Sequence, residues 1–262
     1  MMVIKLGGAE GIAYDSALED IARIQDVVLV HGGSAELNRI SEKLGHPPVM
    51  VTSASGYVSR RTDRKTLELF CMVLCGKINT LIVEKLHQLG VNAFGLSGVD
   101  GRLLQGRRKN IIVQKEGKKK VLRDDYTGVI QRVNVGILSW VLQNGMMPVI
   151  APLALSTENE AVNVDADRAA ACIAGALQAH TLIFLSNVPG LLKNPSDTST
   201  LIDEIPKNHL GDYMTYAAGR MKKKLLAAEN ALSLGVNRAI IADGCMAAPV
   251  TQALKGTGTV IQ

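Results

Sequence analysis

Apolar runs flanked by glycine recur along the chain, with amphipathic stretches between them. They are VIKLGG at 3–8, VVLVHGG at 27–33, PVIAPLAL at 148–155, TLIFLSNVPG at 181–190 and RAIIADG at 238–244. Short runs without polar alternation predict strands buried on both faces, as in a parallel sheet covered on each side. Between them, helical periodicity marks Tyr14 to Ile24, Ala35 to Leu44, Thr66 to Leu89, Val135 to Asn144, Arg168 to Leu177 and Met221 to Leu234. The alternation predicts an α/β fold, a three-layer αβα sandwich with a largely parallel central sheet.

From Gly101 to Val133 the rhythm breaks into short apolar pieces separated by Glu116-Gly117 and Tyr126-Thr127-Gly128. This pattern predicts antiparallel hairpins inserted in the α/β frame. The stretch Lys193 to Thr200 reads as a polar surface loop. No repeat or low-complexity tract interrupts the chain, so one domain over 1–262 is expected.

Composition narrows the class. With 262 residues, 47% of them hydrophobic and 3% aromatic, the chain has material for a sizeable core and is not disordered. The longest uninterrupted apolar runs are strand-sized, so neither membrane insertion nor a signal peptide is expected, and the protein reads as cytoplasmic. Cys71, Cys75, Cys172 and Cys245 lie in apolar segments without a CxxC pair, which favours buried thiols over a disulfide scaffold or a zinc site.

Charge is uneven. The net charge is +5, yet residues 102 to 123 hold nine Lys or Arg against the single Glu116. No aromatic residue interleaves them, which argues against a nucleic-acid surface. The remaining readings are a face that steers an acidic protein or anionic substrate and a solvated hairpin.

Gly7-Gly8 and Gly32-Gly33 each follow an expected strand and precede an expected helix. Such positions let backbone N–H groups and a helix N-terminus approach an anion, and they fall where parallel sheets bind ligands. Neither GxxxxGK[ST] nor GxGxxG is present, so the phosphate site is of another kind. His31, in the HGG turn, suits packing or hydrogen bonding better than metal ligation.

These elements resemble those of the amino acid kinase family. Its KxGG, HGG, NxxxD and MxxK motifs correspond to KLGG at 5–8, HGG at 31–33, Asn163 to Asp167 and Met221 to Lys224. SRRT at 59–62, GLSGVDG at 95–101 and SNVPGLL at 186–192 resemble the acetylglutamate-kinase branch. GGAEG at 7–11, HGGSAE at 31–36, DRKTLE at 63–68, GRRK at 106–109, DYTG at 125–128 and GRMKKK at 219–224 are more similar to the carrier-protein-dependent aminoadipate kinases of lysine biosynthesis. Ser34 and Asp165 depart from the acetylglutamate-kinase pattern, where glycine and asparagine are usual.

The resemblance implies ATP-dependent phosphorylation of the terminal carboxylate of an α-aminoadipyl group on an acidic amino-group carrier protein. An acetylglutamate kinase of arginine biosynthesis and a kinase serving aminoadipyl and glutamyl carriers alike remain alternatives, with a non-catalytic nucleotide-binding regulator in a different class. A carboxylate, with a pKa of about 4.3, attacks without a general base, so positioning and positive charge must supply the catalysis. The resemblance sets Lys5 against the transferring phosphoryl group and Lys224 against the nucleotide phosphates, with Asp167 between them. Gly7, Gly8 and Gly32 would cradle phosphate, while Gly33, Ser34, Arg60 and Asn163 would bind the acceptor. Composition alone does not choose Lys224 over Lys222 or Lys223, nor Arg60 over Arg61; motif spacing does.

Magnesium is expected on ATP, with no dedicated protein metal site. Arg107, Arg108, Lys109, Lys115, Lys118, Lys119, Lys120 and Arg123 are candidates for docking the carrier. Residues 1–177 are expected to form an acyl-substrate lobe and 178–262 an ATP lobe. With no helical extension before Val3, the resemblance suggests a homodimer through the Thr66 to Leu89 helix rather than a hexamer.

Overall fold

The structure, a computed structural model, describes residues 1–52, 58–109, 111–115 and 118–262, with only the backbone described at 111–115 and 118–120. The first half opens with β1 (Met2–Leu6), α1 (Tyr14–Ile21), β2 (Val27–His31), α2 (Ser34–Lys43), β3 (Met50–Thr52) and β4 (Val58–Arg60). Then come α3 (Arg64–Phe70), a π-helical stretch Cys71–Ile78, α4 (Asn79–Gln88), β5 (Ala93–Ser97), β6 (Leu104–Arg108), β7 (Ile111–Lys115), β8 (Lys118–Leu122) and β9 (Gly128–Val133). The middle holds α5 (Val135–Gln143), β10 (Met147–Ala151), β11 (Leu153–Ser156), β12 (Ala161–Asn163) and α6 (Ala166–Ala176). The chain ends with β13 (Thr181–Ser186), β14 (Glu204–Ile205), α7 (Leu210–Tyr213), α8 (Gly219–Ser233), β15 (Arg238–Asp243), α9 (Pro249–Leu254) and β16 (Thr259–Ile261).

Eight strands form the main sheet in the order β14-β16-β15-β13-β1-β2-β10-β5. All neighbours are parallel except β15 and β16. Side-chain alternation divides the core: Val3, Val28, Val30, Leu182 and Phe184 join one apolar cluster, and Ile4, Leu6, Leu29, Ile183 and Leu185 the other. Two clusters separated by one sheet are what a three-layer sandwich requires. Lys5 shares the parity of Val3 and so lies on the face covered by α6, which packs against both β1 and α8. Ala170, Ala171 and Ala174 of α6 and Ala227, Ala228 and Ala231 of α8 are buried there, and their small side chains let the helices approach closely.

Several expectations need revision. PVIAPLAL is two strands, because Pro152 lacks the N–H to continue a ladder; β10 stays in the main sheet and β11 enters a second one. That second sheet, β12-β11-β6-β9, contains the parallel pair β11–β6, so the insertion is more than hairpins. Its antiparallel pair β6–β9 encloses the β7–β8 hairpin, as the short apolar pieces suggested. The Glu116-Gly117 turn lies outside the described residues. The long helix begins at Arg64, where the Asp63 carboxylate caps it by accepting from Thr66 N at 2.8 Å, and its middle is π-helical. By length and composition Arg64–Gln88 is apolar enough to cross a membrane, though half of its most apolar window is buried in the protein.

Candidate active site

β1 has β2 on one side and β13 on the other, so the chain order reverses around it and a crevice opens beyond the strand ends. A cleft of about 600 Å³ occupies this position, within the usual size range of small-molecule sites. Gly7 and Gly8 after β1, Gly32, Gly33 and Ser34 after β2, and Ser186, Asn187 and Val188 at the end of β13 line it.

The glycine turns pack backbone against backbone. A Cβ on Gly8 would overlap the Gly33 nitrogen, and one on Gly33 would strike Ile78 and Leu74 of the π-helical stretch. The loops are tied by Gly7 N to Leu185 O at 3.0 Å, Gly32 N to Leu6 O at 2.8 Å and Ala35 N to Gly8 O at 2.9 Å. Ser34 Oγ and Tyr14 Oη donate to the carbonyls of Gly8 and Gly7 at 3.0 and 2.8 Å. Among the described residues, the N–H groups of Gly8 and Gly33 donate to no backbone carbonyl, which leaves two donors for an anion at the N-terminus of α2.

Deeper in, Lys5 Nζ and Lys224 Nζ each lie 2.8 Å from the Asp167 carboxylate, one on each oxygen. All three side chains are buried and line the cleft. Burial by itself would raise the Asp167 pKa, but the two ammonium groups outweigh it and hold the carboxyl ionised far below its ordinary range. The Lys224 pKa is pushed down by burial and by Lys5, with Asp167 opposing. Three lysines in a row are sorted by the helix: Lys224 turns inward to Asp167, Lys223 donates to Val58 O at 3.2 Å and Lys222 is exposed. Geometry thus makes the choice that composition left open.

Asp165 caps α6, accepting from Asp167 N at 3.0 Å and Arg168 N at 3.1 Å. An asparagine carbonyl oxygen could do the same, so the departure at this position is conservative for the helix. Arg60 lines the cleft and donates from Nη2 to Asn38 Oδ1, while its buried Nη1 has no partner among the described residues; Arg61 is not part of the described lining. Asn163, also in the lining, donates to Thr62 Oγ1 at 3.0 Å. Apolar walls come from Leu37, Phe70, Leu74, Pro152 and Val164.

His31 is completely buried. Its Nδ1–H donates to Gly32 O at 2.9 Å and its Nε2 accepts from Asn79 Nδ2 at 3.1 Å. Burial chiefly, with some repulsion from Lys5, pushes its pKa down to about 4, so the ring is neutral and acts as a hydrogen-bonded wedge. Burial likewise pushes the Cys75 thiol up to about 12, which makes it an unreactive packing group.

The docking candidates fare unevenly. Arg107, Lys109 and Arg123 are exposed. Arg108 is instead consumed by the fold: its guanidinium sits 4.2 Å from the Tyr126 ring centroid, pairs with Glu160 at 3.3 Å and donates to Asp125 O and Arg123 O. The side chains of Lys115, Lys118, Lys119 and Lys120 lie outside the described residues.

Two cleft cations received no individual role from the sequence, Arg220 and Lys223. The available signal is helical spacing, since positions 220, 223 and 224 of GRMKKK share one side of a helix. Among the described residues no group of three or more His, Cys, Asp or Glu side chains could hold a metal ion.

Fold and site together define an αβα-sandwich protein whose sheet switch point is equipped to hold a polyanion. The profile of the amino acid kinase family matches residues 1–243, and the chain belongs to that family. A protein named [LysW]-aminoadipate kinase from Deinococcus radiodurans is 51% identical over 266 residues, spanning 100% of this chain and 91% of its own. One of the same name from Thermus thermophilus is 49% identical over 269 residues, spanning 100% of both chains. Among solved structures, N-acetylglutamate synthase from Neisseria gonorrhoeae, complexed with coenzyme A and N-acetyl-glutamate, is similar with a TM-score of 0.79 and 25% identity. That likeness covers 99% of this chain and 58% of the synthase chain.

Proposed function

We propose that this protein transfers the γ-phosphoryl group of ATP to the terminal carboxylate of an α-aminoadipyl group linked to an acidic amino-group carrier protein. A carboxylate oxygen bonds to the γ-phosphorus, the bond to the bridging β,γ-oxygen breaks, and ADP and an acyl phosphate leave. Membership of the amino acid kinase family and full-length likeness to proteins named [LysW]-aminoadipate kinase support the reaction and the acceptor. The single observation that carries the chemistry is the Lys5–Asp167–Lys224 bridge in the cleft.

Both reactants are anionic, so repulsion between them is the main obstacle. Lys5 neutralises charge on the transferring group and Lys224 on the nucleotide phosphates, and Asp167 aims both amines without solvent reorganisation. The free N–H groups of Gly8 and Gly33 receive phosphoryl oxygens, and Gly7 and Gly32 let the loops close around them. Arg60 grips the α-carboxylate of the acceptor, and Asn163, with Gly33 and Ser34, holds its amide. Mg2+ accompanies the nucleotide in this reading. Asp167 is occupied by two lysines and Asp165 by a helix terminus, so the described side chains offer the ion no carboxylate cage and no step is assigned to it.

Residues 1–177 serve the acyl acceptor and 178–262 the nucleotide. The exposed cations Arg107, Lys109 and Arg123 dock the carrier, and a cytoplasmic homodimer forms across Arg64–Gln88, where Met72 and Leu81 are exposed apolar residues. The test offers ATP with carrier-linked aminoadipate, carrier-linked glutamate or free N-acetylglutamate, trapping acyl phosphate with hydroxylamine. Turnover of carrier-linked aminoadipate is expected. Additional turnover of the glutamyl carrier would widen the acceptor range, and activity confined to N-acetylglutamate would overturn the proposal.

A further inference from the structure

Each of the two free amide donors belongs to a peptide unit whose carbonyl is held by a side chain. The Gly8 N–H shares its peptide with Gly7 O, which accepts from Tyr14 Oη at 2.8 Å. The Gly33 N–H shares its peptide with Gly32 O, which accepts from His31 Nδ1 at 2.9 Å. No cis peptide bond occurs among the described residues, so in both units the carbonyl and the N–H point in opposite directions and cannot turn independently. Anchoring the oxygen therefore aims the hydrogen. A carbonyl that accepts a hydrogen bond also polarises its own amide, which makes the N–H a stronger donor. The two turns touch, with no room for a Cβ on Gly8 beside the Gly33 nitrogen, so the two donors start from adjacent points.

Both anchors are held in the protonation state this requires. Burial pushes the Tyr14 hydroxyl up to about 12, so it stays a donor at neutral pH. The Asn79 group facing Val149 O at 2.9 Å must be its NH2, because a carbonyl only accepts, and the same nitrogen faces His31 Nε2 at 3.1 Å. Nε2 is thus an acceptor, and Nδ1 carries the proton of the neutral ring. Neither Tyr14 nor His31 belongs to the described lining of the cleft. The backbone ties of these loops, Gly7 N to Leu185 O and Gly32 N to Leu6 O, fix the preceding peptides and leave these two units to the side chains. We infer that Tyr14 and His31 are positioning residues for phosphoryl transfer: from outside the cleft they set the direction of the Gly8 and Gly33 N–H groups that receive phosphoryl oxygens. The inference rests on the proposed reaction and deepens it.

Tyr14→Phe removes one hydroxyl and keeps the packing of the ring. In His31→Gln the amide stands where Nε2 was, so it still meets Asn79 but no longer reaches Gly32 O. In His31→Asn the amide stands where Nδ1 was and restores that donor. Kinetics use whichever acceptor turns over in the assay above, and NMR of isotope-labelled protein reports the Gly8 and Gly33 amide resonances without any acceptor. Losing a whole oxyanion donor costs about 10²–10³-fold, so misaiming one is expected to lower kcat about tenfold in Tyr14→Phe and in His31→Gln. The acceptor KM and the dissociation constant of a non-hydrolysable ATP analogue are expected to stay near their native values, and His31→Asn to recover most of the loss. The Gly8 resonance should shift in Tyr14→Phe and the Gly33 resonance in His31→Gln. A native kcat in Tyr14→Phe, a loss confined to KM or nucleotide binding, an unmoved Gly8 resonance, or His31→Asn no faster than His31→Gln overturns the inference. Turnover of none of the three acceptors overturns the reaction and the inference together, a failure recognisable because the native protein shares it.

Discussion

Asp167 receives two ammonium groups on two separate oxygens, and this determines how its neighbours respond to substitution. Replacing Lys5 by methionine keeps a side chain of similar length and leaves the carboxylate paired with Lys224, so the fold is expected to survive. In the proposed reaction the change removes the charge nearest the transferring group. The expected loss is roughly 10²–10³-fold in kcat, about 3–4 kcal/mol, with a small change in acceptor KM. Steady-state phosphoryl transfer by Lys5→Met, with circular dichroism as the folding control, checks it; native kcat would remove Lys5 from the mechanism. At this scale the sequence was informative where a residue breaks a local rule, as Lys5 does inside an apolar strand. Composition was silent where identical residues adjoin: motif spacing selects Lys224 and Arg60, and the physical distinction from Lys222, Lys223 and Arg61 is made by helix rotation and strand position.

Asn79 joins three elements: its Nδ2 donates to His31 Nε2 at 3.1 Å and to Val149 O at 2.9 Å, tying α4 to β2 and β10. The joint needs a neutral imidazole, because a second ring proton would face the amide donor. With the folded pKa near 4 and the unfolded one at about 6.5, the unfolded state binds more protons between those values, so stability rises with pH through that window and levels off above it. The group is fully buried, and acidification to pH 4.5 is expected to cost roughly 2–3 kcal/mol. Urea unfolding at pH 4.5 and 7.5 measures it, and His31→Gln should flatten the difference; an equal slope in the variant would assign the effect to the carboxylates. The predominantly apolar strands β1, β2, β13 and β15 were legible, since a covered sheet is what accommodates their apolar runs. β5, with Phe94 and Gly95 inside a five-residue strand, was not, because its burial comes from elements distant in sequence. The π-helical stretch escaped for the same reason: helix periodicity does not report a widened turn, which here presents Leu74 and Ile78 to Gly33.

Across the molecule, the concentration of positive charge within 102–123 is a feature of sequence that the fold only partly exposes. Arg107, Lys109 and Arg123 are open to solvent, while Arg108 is spent on Tyr126 and Glu160. Docking by such charges is screened over a Debye length of about 10 Å at 0.1 M salt. Raising ionic strength from low to high is therefore expected to increase KM for the carrier-linked acceptor several-fold while leaving KM for a small acceptor nearly constant. A salt-independent KM for the carrier-linked acceptor would withdraw the docking role. The layered architecture was readable from the chain, but the central position of β1 was not, because strand order depends on which crossovers pass on which side.

The carboxylate on α6 has a mechanical consequence as well. It fastens a strand laid down at the start of the chain to a helix near its end, at the deepest point of the cleft. Any breathing that admits nucleotide or releases product must leave this fastening intact or expose three charges at once. Any opening of the cleft is therefore expected to pivot at Asp167, with travel growing toward the outer lips and least at the reacting centre.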